Sequence, residues 1–186
     1  MMRRFLLLFI LLLFTPVVMA IEEVTTMPDF TDIPDDVQPI YYGESLLGDE
    51  WLLFSIQQSS YHVNVNWYDG NAVVVVGNLE FSSYRDREDY RETLDSTHLD
   101  GVMEQYSPYT IENQCRYSDT VLFEMEASNN NNNVDYVVNY YVRLMDDTPE
   151  IWFIGVYFPV DRAHELVPLS ALFFPDFTSC RPTGDV

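Results

Sequence analysis

The side chains in this 186-residue chain with the most evident chemistry are three histidines, two cysteines and 30 carboxylates. His62 stands out by its spacing. In the run from Tyr61 to Trp67, the apolar residues Tyr61, Val63, Val65 and Trp67 alternate with His62, Asn64 and Asn66. A strand with this period buries one set and turns the other outward, so one imidazole and two amides share a polar face. His62, Asn64 and Asn66 are therefore the candidate ligand-binding residues. No second histidine stands at a metal-ligand spacing from His62, so no metal site is expected. His98, close to Asp95 and Asp100, reads as a helix-surface residue, and His164 with Glu165 reads as the start of a helix.

The other chemistries fail on spacing. Cys115 and Cys180 are 65 residues apart with no CxxC and no histidine pair, which argues against zinc and for a disulfide. Such a bridge would close a loop worth about 4 kcal/mol in the chain-entropy model. Gly43-Glu44-Ser45-Leu46-Leu47-Gly48 is not a nucleophile elbow. The scattered glycines form no phosphate-binding or dinucleotide loop. Acid pairs such as Glu124 and Glu126 arise by chance among 30 carboxylates, so no catalytic residue is assigned. Asp29, Asp32, Asp35 and Asp36 lack the glycine and terminal glutamate of a calcium loop. No cofactor is expected.

The elements that must position His62 follow from hydrophobic period. Trp51 to Ile56 and Ala72 to Val76 flank the His62 run, and Asp69-Gly70 marks a hairpin turn. Tyr84 to Tyr106 carries Tyr90, Leu94, Val102, Met103 and Tyr106 at helical spacing, with Gly101 as a break. Pro108 to Cys115 reads as a short strand or an irregular lead. Thr120 to Phe158 reads as a three-stranded antiparallel meander. Val121, Phe123, Met125 and Ala127 alternate in its first strand, Val134 to Leu144 in its second, and the third, Ile151 to Phe158, is apolar on both faces. Asn129 to Asn133 makes a polar tip between the first two. Tyr136, Tyr140 and Tyr157 follow the core pattern, which favours packing over a sugar-stacking platform. Asp161 to Phe174 is a C-terminal helix interrupted by Pro168. The fold class is α+β: an antiparallel sheet, hairpin plus three-stranded meander, packed by an amphipathic helix and a C-terminal helix.

Residues 1–20 pair a basic head with the apolar run Phe5 to Phe14 and the small residues before Ala20, the pattern of a cleaved signal peptide. The alternative, an uncleaved anchor, asks a short run to span a bilayer. Residues 21–49, rich in acid and proline, form a linker, residues 50–181 the domain, and residues 182–186 a tail. The expected location is extracytoplasmic or secreted, where a lone cysteine pair oxidises. All nine basic residues are arginine, and the formal charge is -21, or -23 once the leader's two arginines are gone. Such a field repels nucleic acid and anionic head groups, and it fits high solubility or a saline habitat.

The order of hairpin, polar helix of the Asp86-Arg87-Glu88-Asp89-Tyr90-Arg91-Glu92 kind, meander and terminal helix resembles the PsbP-like α+β domain. The resemblance covers roughly Trp51 to Phe177 and rests on element order. It implies a non-catalytic binding or assembly factor on the outer side of a membrane, and it carries over no site residue. The expectation is an exported, non-enzymatic domain that binds a protein or cell-envelope component and is no integral membrane protein after cleavage. The alternatives are a secreted carboxylate-dependent hydrolase and a cation-binding or salt-adapted accessory protein.

Overall fold

The computed structural model describes residues 38–94 and 98–180. The expected signal peptide, most of the expected linker and the tail lie outside the described residues. Seven strands form one antiparallel sheet in the order β1-β2-β3-β7-β6-β5-β4. They are β1 (Leu52–Ser59), β2 (His62–Asp69), β3 (Ala72–Glu80), β4 (Tyr109–Tyr117), β5 (Thr120–Asn129), β6 (Val134–Leu144) and β7 (Glu150–Pro159). The first three strands are hairpin-connected. The chain then crosses one face of the sheet, enters the far edge as β4, and returns strand by strand until β7 pairs with β3. The α+β class is as expected, and the sheet is wider than the sequence reading: β1 and β4 are full edge strands, each with a register shift.

The alternation of side chains divides the buried residues into two clusters. One face holds Phe123, Val138, Tyr140, Phe153 and Tyr157. It is crossed by α2 (Tyr84–Arg91), α3 (Leu99–Val102) and the 3-10 turn Glu104–Tyr106. The expected helix over 84–106 is thus broken, though not at Gly101, which lies inside α3. α2 buries no residue and ends at Glu92. It is held by the Ser83 cap on the Asp86 amide and by Arg87, which donates to the Met145 and Thr148 carbonyls. The apolar anchors come after it: Leu94, Leu99, Met103 and Tyr106 are buried.

The other face holds Val65, Trp67, Val74, Tyr141, Trp152 and Phe158. It is covered by α1 (Gln38–Leu46) and by α4 (Leu166–Phe173), which follows the 3-10 segment Val160–Glu165. The last third of the expected linker is therefore a packed helix, and the folded unit begins before residue 50. Tyr42 is the reason: its ring meets Trp152 edge-on at 5.8 Å and Phe173 at 5.9 Å. A Cβ on Gly43 would come within 2.1 Å of the Trp67 ring, so glycine is what lets α1 lie this close. Pro168 does not interrupt the C-terminal helix. It is the third residue of α4, where the backbone N–H has no intrahelical partner to lose.

The β2–β3 turn is Gly70-Asn71, one residue later than the sequence pattern put it, because Asp69 still pairs with Ala72. Gly70 alone in this turn takes a positive φ, +60°, where a type I′ turn would need two. Cys115 and Cys180 form a disulfide that ties edge strand β4 to the segment after α4.

Candidate functional site

The two faces are not covered to the same extent. On the face opposite α1 and α4, the 84–106 segment lies over β4–β7 and leaves the β1–β3 half open, and the space between them is a cleft of about 980 Å³. Strand alternation decides what faces it. In β2, Val63, Val65 and Trp67 are buried on the covered side, so His62, Asn64, Asn66 and Tyr68 turn into the cleft. The three residues singled out by spacing share one wall. Val75, Phe153, Tyr140 and Tyr157 form the floor, and Val102, Glu104 and Gln105 face β2 from the other side. Asn130 and Asn131, from the β5–β6 loop, close one end.

Each wall residue is held differently. Asn66 Nδ2 donates to Ser55 Oγ on β1 at 2.9 Å. His62 stacks on Phe153 with ring centres 5.8 Å apart, and its partial burial lowers its pKa. Asn64 Oδ1 is buried and accepts no hydrogen bond among the described residues. Phe54, at the register shift of β1, is 73% exposed at the cleft mouth and leans on Tyr68 with ring centres 4.8 Å apart.

His98 is not a helix-surface residue. It is 5% exposed and lies behind Phe153, with ring centres 5.6 Å apart. Its Nδ1 is 2.8 Å from the Tyr90 hydroxyl and its Nε2 is 2.8 Å from the Tyr140 hydroxyl. Burial, with a smaller contribution from His62, pushes its pKa down to about 4. A neutral imidazole has one donor and one acceptor, so one tyrosine donates to it and the other accepts from it. Both ring nitrogens are thereby occupied. The Tyr140 hydroxyl, fully buried, is raised well above its usual value by the same loss of water.

The remaining candidates fall elsewhere. Glu124 and Glu126 point away from the cleft, toward the face that carries Leu122, and Glu124 is engaged by the Cys180 amide and by Asn113. Ser45 donates to the Tyr42 carbonyl within α1. His164 is exposed on the 3-10 segment, next to Glu165, the N-cap of α4, so it sits where that helix begins. No cluster of three metal-ligating side chains occurs among the described residues, and the four linker aspartates lie outside them.

Sequence reasoning missed His98, whose burial depends on Phe153 and Tyr140, more than 40 positions away. It also missed the cleft role of Asn130 and Asn131, which read as a polar tip, and of Tyr140 and Tyr157, which both pack and form the floor.

No protein-family model matches the chain, and no curated protein matches it. Two solved structures are similar to it. One is PA94, a protein of unknown function from Pseudomonas aeruginosa, with a TM-score of 0.43 and 12% identity over 72% of this chain and 99% of that chain. Another is LpqN, involved in cell envelope biogenesis of Mycobacterium tuberculosis, with a TM-score of 0.38 and 13% identity over 68% of this chain and 76% of that chain.

Proposed function

We propose that the chain is an exported, non-enzymatic binding domain, and that the cleft between β1–β3 and the 84–106 segment is where it holds a cell-envelope component or protein partner. The observation that carries this reading is the half-covered sheet face: His62, Asn64 and Asn66 line a cleft of about 980 Å³, with the Asn64 carbonyl oxygen buried and unpaired. Such a volume is at the upper end of the range for small-ligand sites. Export is supported by the leader-like N-terminus and by the Cys115–Cys180 disulfide, which persists in oxidising compartments. The resemblance to PsbP-like domains belongs to the same reading, as a non-catalytic binding or assembly factor.

The lining also bears on the hydrolase alternative. Carboxylate-dependent glycoside hydrolysis uses a pair of carboxylates about 5–10 Å apart. Glu104 is the one acid among the described lining residues, and His98 has no ring nitrogen free to act as a base.

Gly101 offers a direct test. It lines the cleft, and a Cβ added there meets nothing within 4 Å, so the backbone accepts a side chain and Gly101→Trp is the substitution chosen to obstruct the cleft. The mature chain and this variant, immobilised side by side, are exposed to an envelope fraction of the source organism. Capture by the wild type that disappears in Gly101→Trp, with equal melting temperatures, is the expected result. Equal capture by both removes the cleft from the mechanism.

A further inference from the structure

The chemistry of the cleft narrows what it can hold, given the reading that it is the binding site. First, the lining is nearly free of charge. Among the described lining residues there is one carboxylate, Glu104, and no arginine. His98 is neutral between two tyrosine hydroxyls. An anionic ligand would find no counter-charge here, within a chain that carries -21 overall. A cation would find a single carboxylate.

Second, the polar groups are amides. Gln57, Asn64, Asn66, Gln105, Asn130 and Asn131 supply six side chains that each donate and accept. This duality matches hydroxyl groups, which also do both. The amides of Asn64 and Asn66 stand on one wall and those of Gln105, Asn130 and Asn131 stand on the lining across from it.

Third, an aromatic ring stands at the mouth. Phe54 is 73% exposed and rests against Tyr68, with ring centres 4.8 Å apart. A phenyl face beside amides suits a ligand whose rings have one apolar C–H face and a rim of hydroxyls.

We infer that the cleft binds an uncharged saccharide, a neutral glycan of a few units whose hydroxyls are taken by Asn64, Asn66 and the facing amides while one sugar ring stacks on Phe54. An extended peptide is the competing occupant. It would pair its backbone with the free edge of β1, and side-chain amides set along the walls would contribute little to that mode.

The test titrates the 15N-labelled mature chain with neutral tetrasaccharides (cello-, malto-, manno- and N-acetylchitotetraose) and with oligogalacturonate as the anionic counterpart. Saturable binding of at least one neutral glycan is expected, with the largest amide shifts at Asn64 and Asn66. Phe54→Ala should weaken it at least fivefold at an unchanged melting temperature, and Gly101→Trp should abolish it. The inference is overturned if no neutral glycan binds, or if oligogalacturonate binds as tightly as the best neutral one. The two levels of the reading separate cleanly. Envelope capture that is lost in Gly101→Trp, without any glycan binding, leaves the cleft and removes the saccharide. A captured protein whose cross-links map to β1 and the cleft gives the site to a peptide. Capture unaffected by Gly101→Trp, with no glycan binding, removes both.

Discussion

Two asparagines on opposite faces of the sheet show how differently those faces are finished. Asn139 in β6 is 2% exposed beneath α4, and its Nδ2 donates to Ser170 Oγ at 3.1 Å and to the Thr178 carbonyl at 3.0 Å. It fastens a helix and the segment after it to the sheet. Asn64 in β2 is only partly buried, and its carbonyl oxygen has no partner among the described residues. One amide ties two segments to the sheet, and the oxygen of the other ties none. The same contrast runs through the neighbouring rings. On the covered face Tyr141 stacks on Phe174 at 4.3 Å and Trp51 meets Phe158 edge-on. On the open face Phe54 leans on Tyr68 with most of its surface in water. Both faces bury an apolar cluster, but at the β1–β3 end of the second an aromatic ring stays in water beside polar side chains.

Substitutions on the covered face should cost stability, and substitutions in the cleft wall should not. Trp67→Ala is the largest expected effect. The ring is 2% exposed and fills the space under Gly43, so its loss should cost about 3–5 kcal/mol in urea unfolding and release α1 from the sheet. Retention of wild-type stability would mean that α1 does not depend on this contact.

The next effect is a pH dependence from His98, which sits where the two halves of the open face meet. Folded, it titrates at about 4; unfolded, near 6.5. Between those values only the unfolded chain binds the proton. The stabilisation is therefore complete above about pH 6.5 and is lost as the pH falls toward 4, by about 3 kcal/mol. The groups facing it are Tyr90, Tyr140 and His62. Urea midpoints measured from pH 7 to 4.5 should fall more steeply for the wild type than for His98→Gln. Parallel curves would show that His98 is not buried as the neutral form.

Asn139→Ala should follow at about 1–3 kcal/mol, because it strands the Thr178 carbonyl and the Ser170 hydroxyl beneath α4. The smallest losses belong to Phe54→Ala, within about 0.5 kcal/mol of wild type by thermal or urea unfolding, and to Asn64→Ala, which removes a buried unpaired acceptor and should be neutral or stabilising. A cost above 1 kcal/mol for either would make the open wall as structural as the covered one.

Much of this arrangement was legible in the sequence, for reasons tied to particular residues. The alternation in Tyr61 to Trp67 assigned His62, Asn64 and Asn66 to one face, and the apolar run Ile151 to Phe158 marked a strand with both faces covered. Period-2 patterns carry that information locally. The failures were non-local. Gln38–Leu46 looked like a linker because its anchors, Tyr42 and Gly43, matter only against Trp152 and Trp67. Asp69-Gly70 gave the turn and missed its register by one residue, which is set by the pairing of Asp69 with Ala72. His98 gave no signal at all, since a histidine among aspartates reads as solvated until Phe153 and Tyr140 enclose it.

By itself the sequence determined the strands, the side of β2 that would be polar, the cysteine pair and the acidic charge, because these depend on residue type and short-range period. The tertiary structure decided that the polar side would be a cleft rather than an open surface. That follows from where the 84–106 segment rests: its buried anchors Leu94, Leu99, Met103 and Tyr106 pack over β4–β7, and the β1–β3 half of the same face remains uncovered. A local pattern can state that a face is polar, but only the packing of distant elements determines whether it is enclosed.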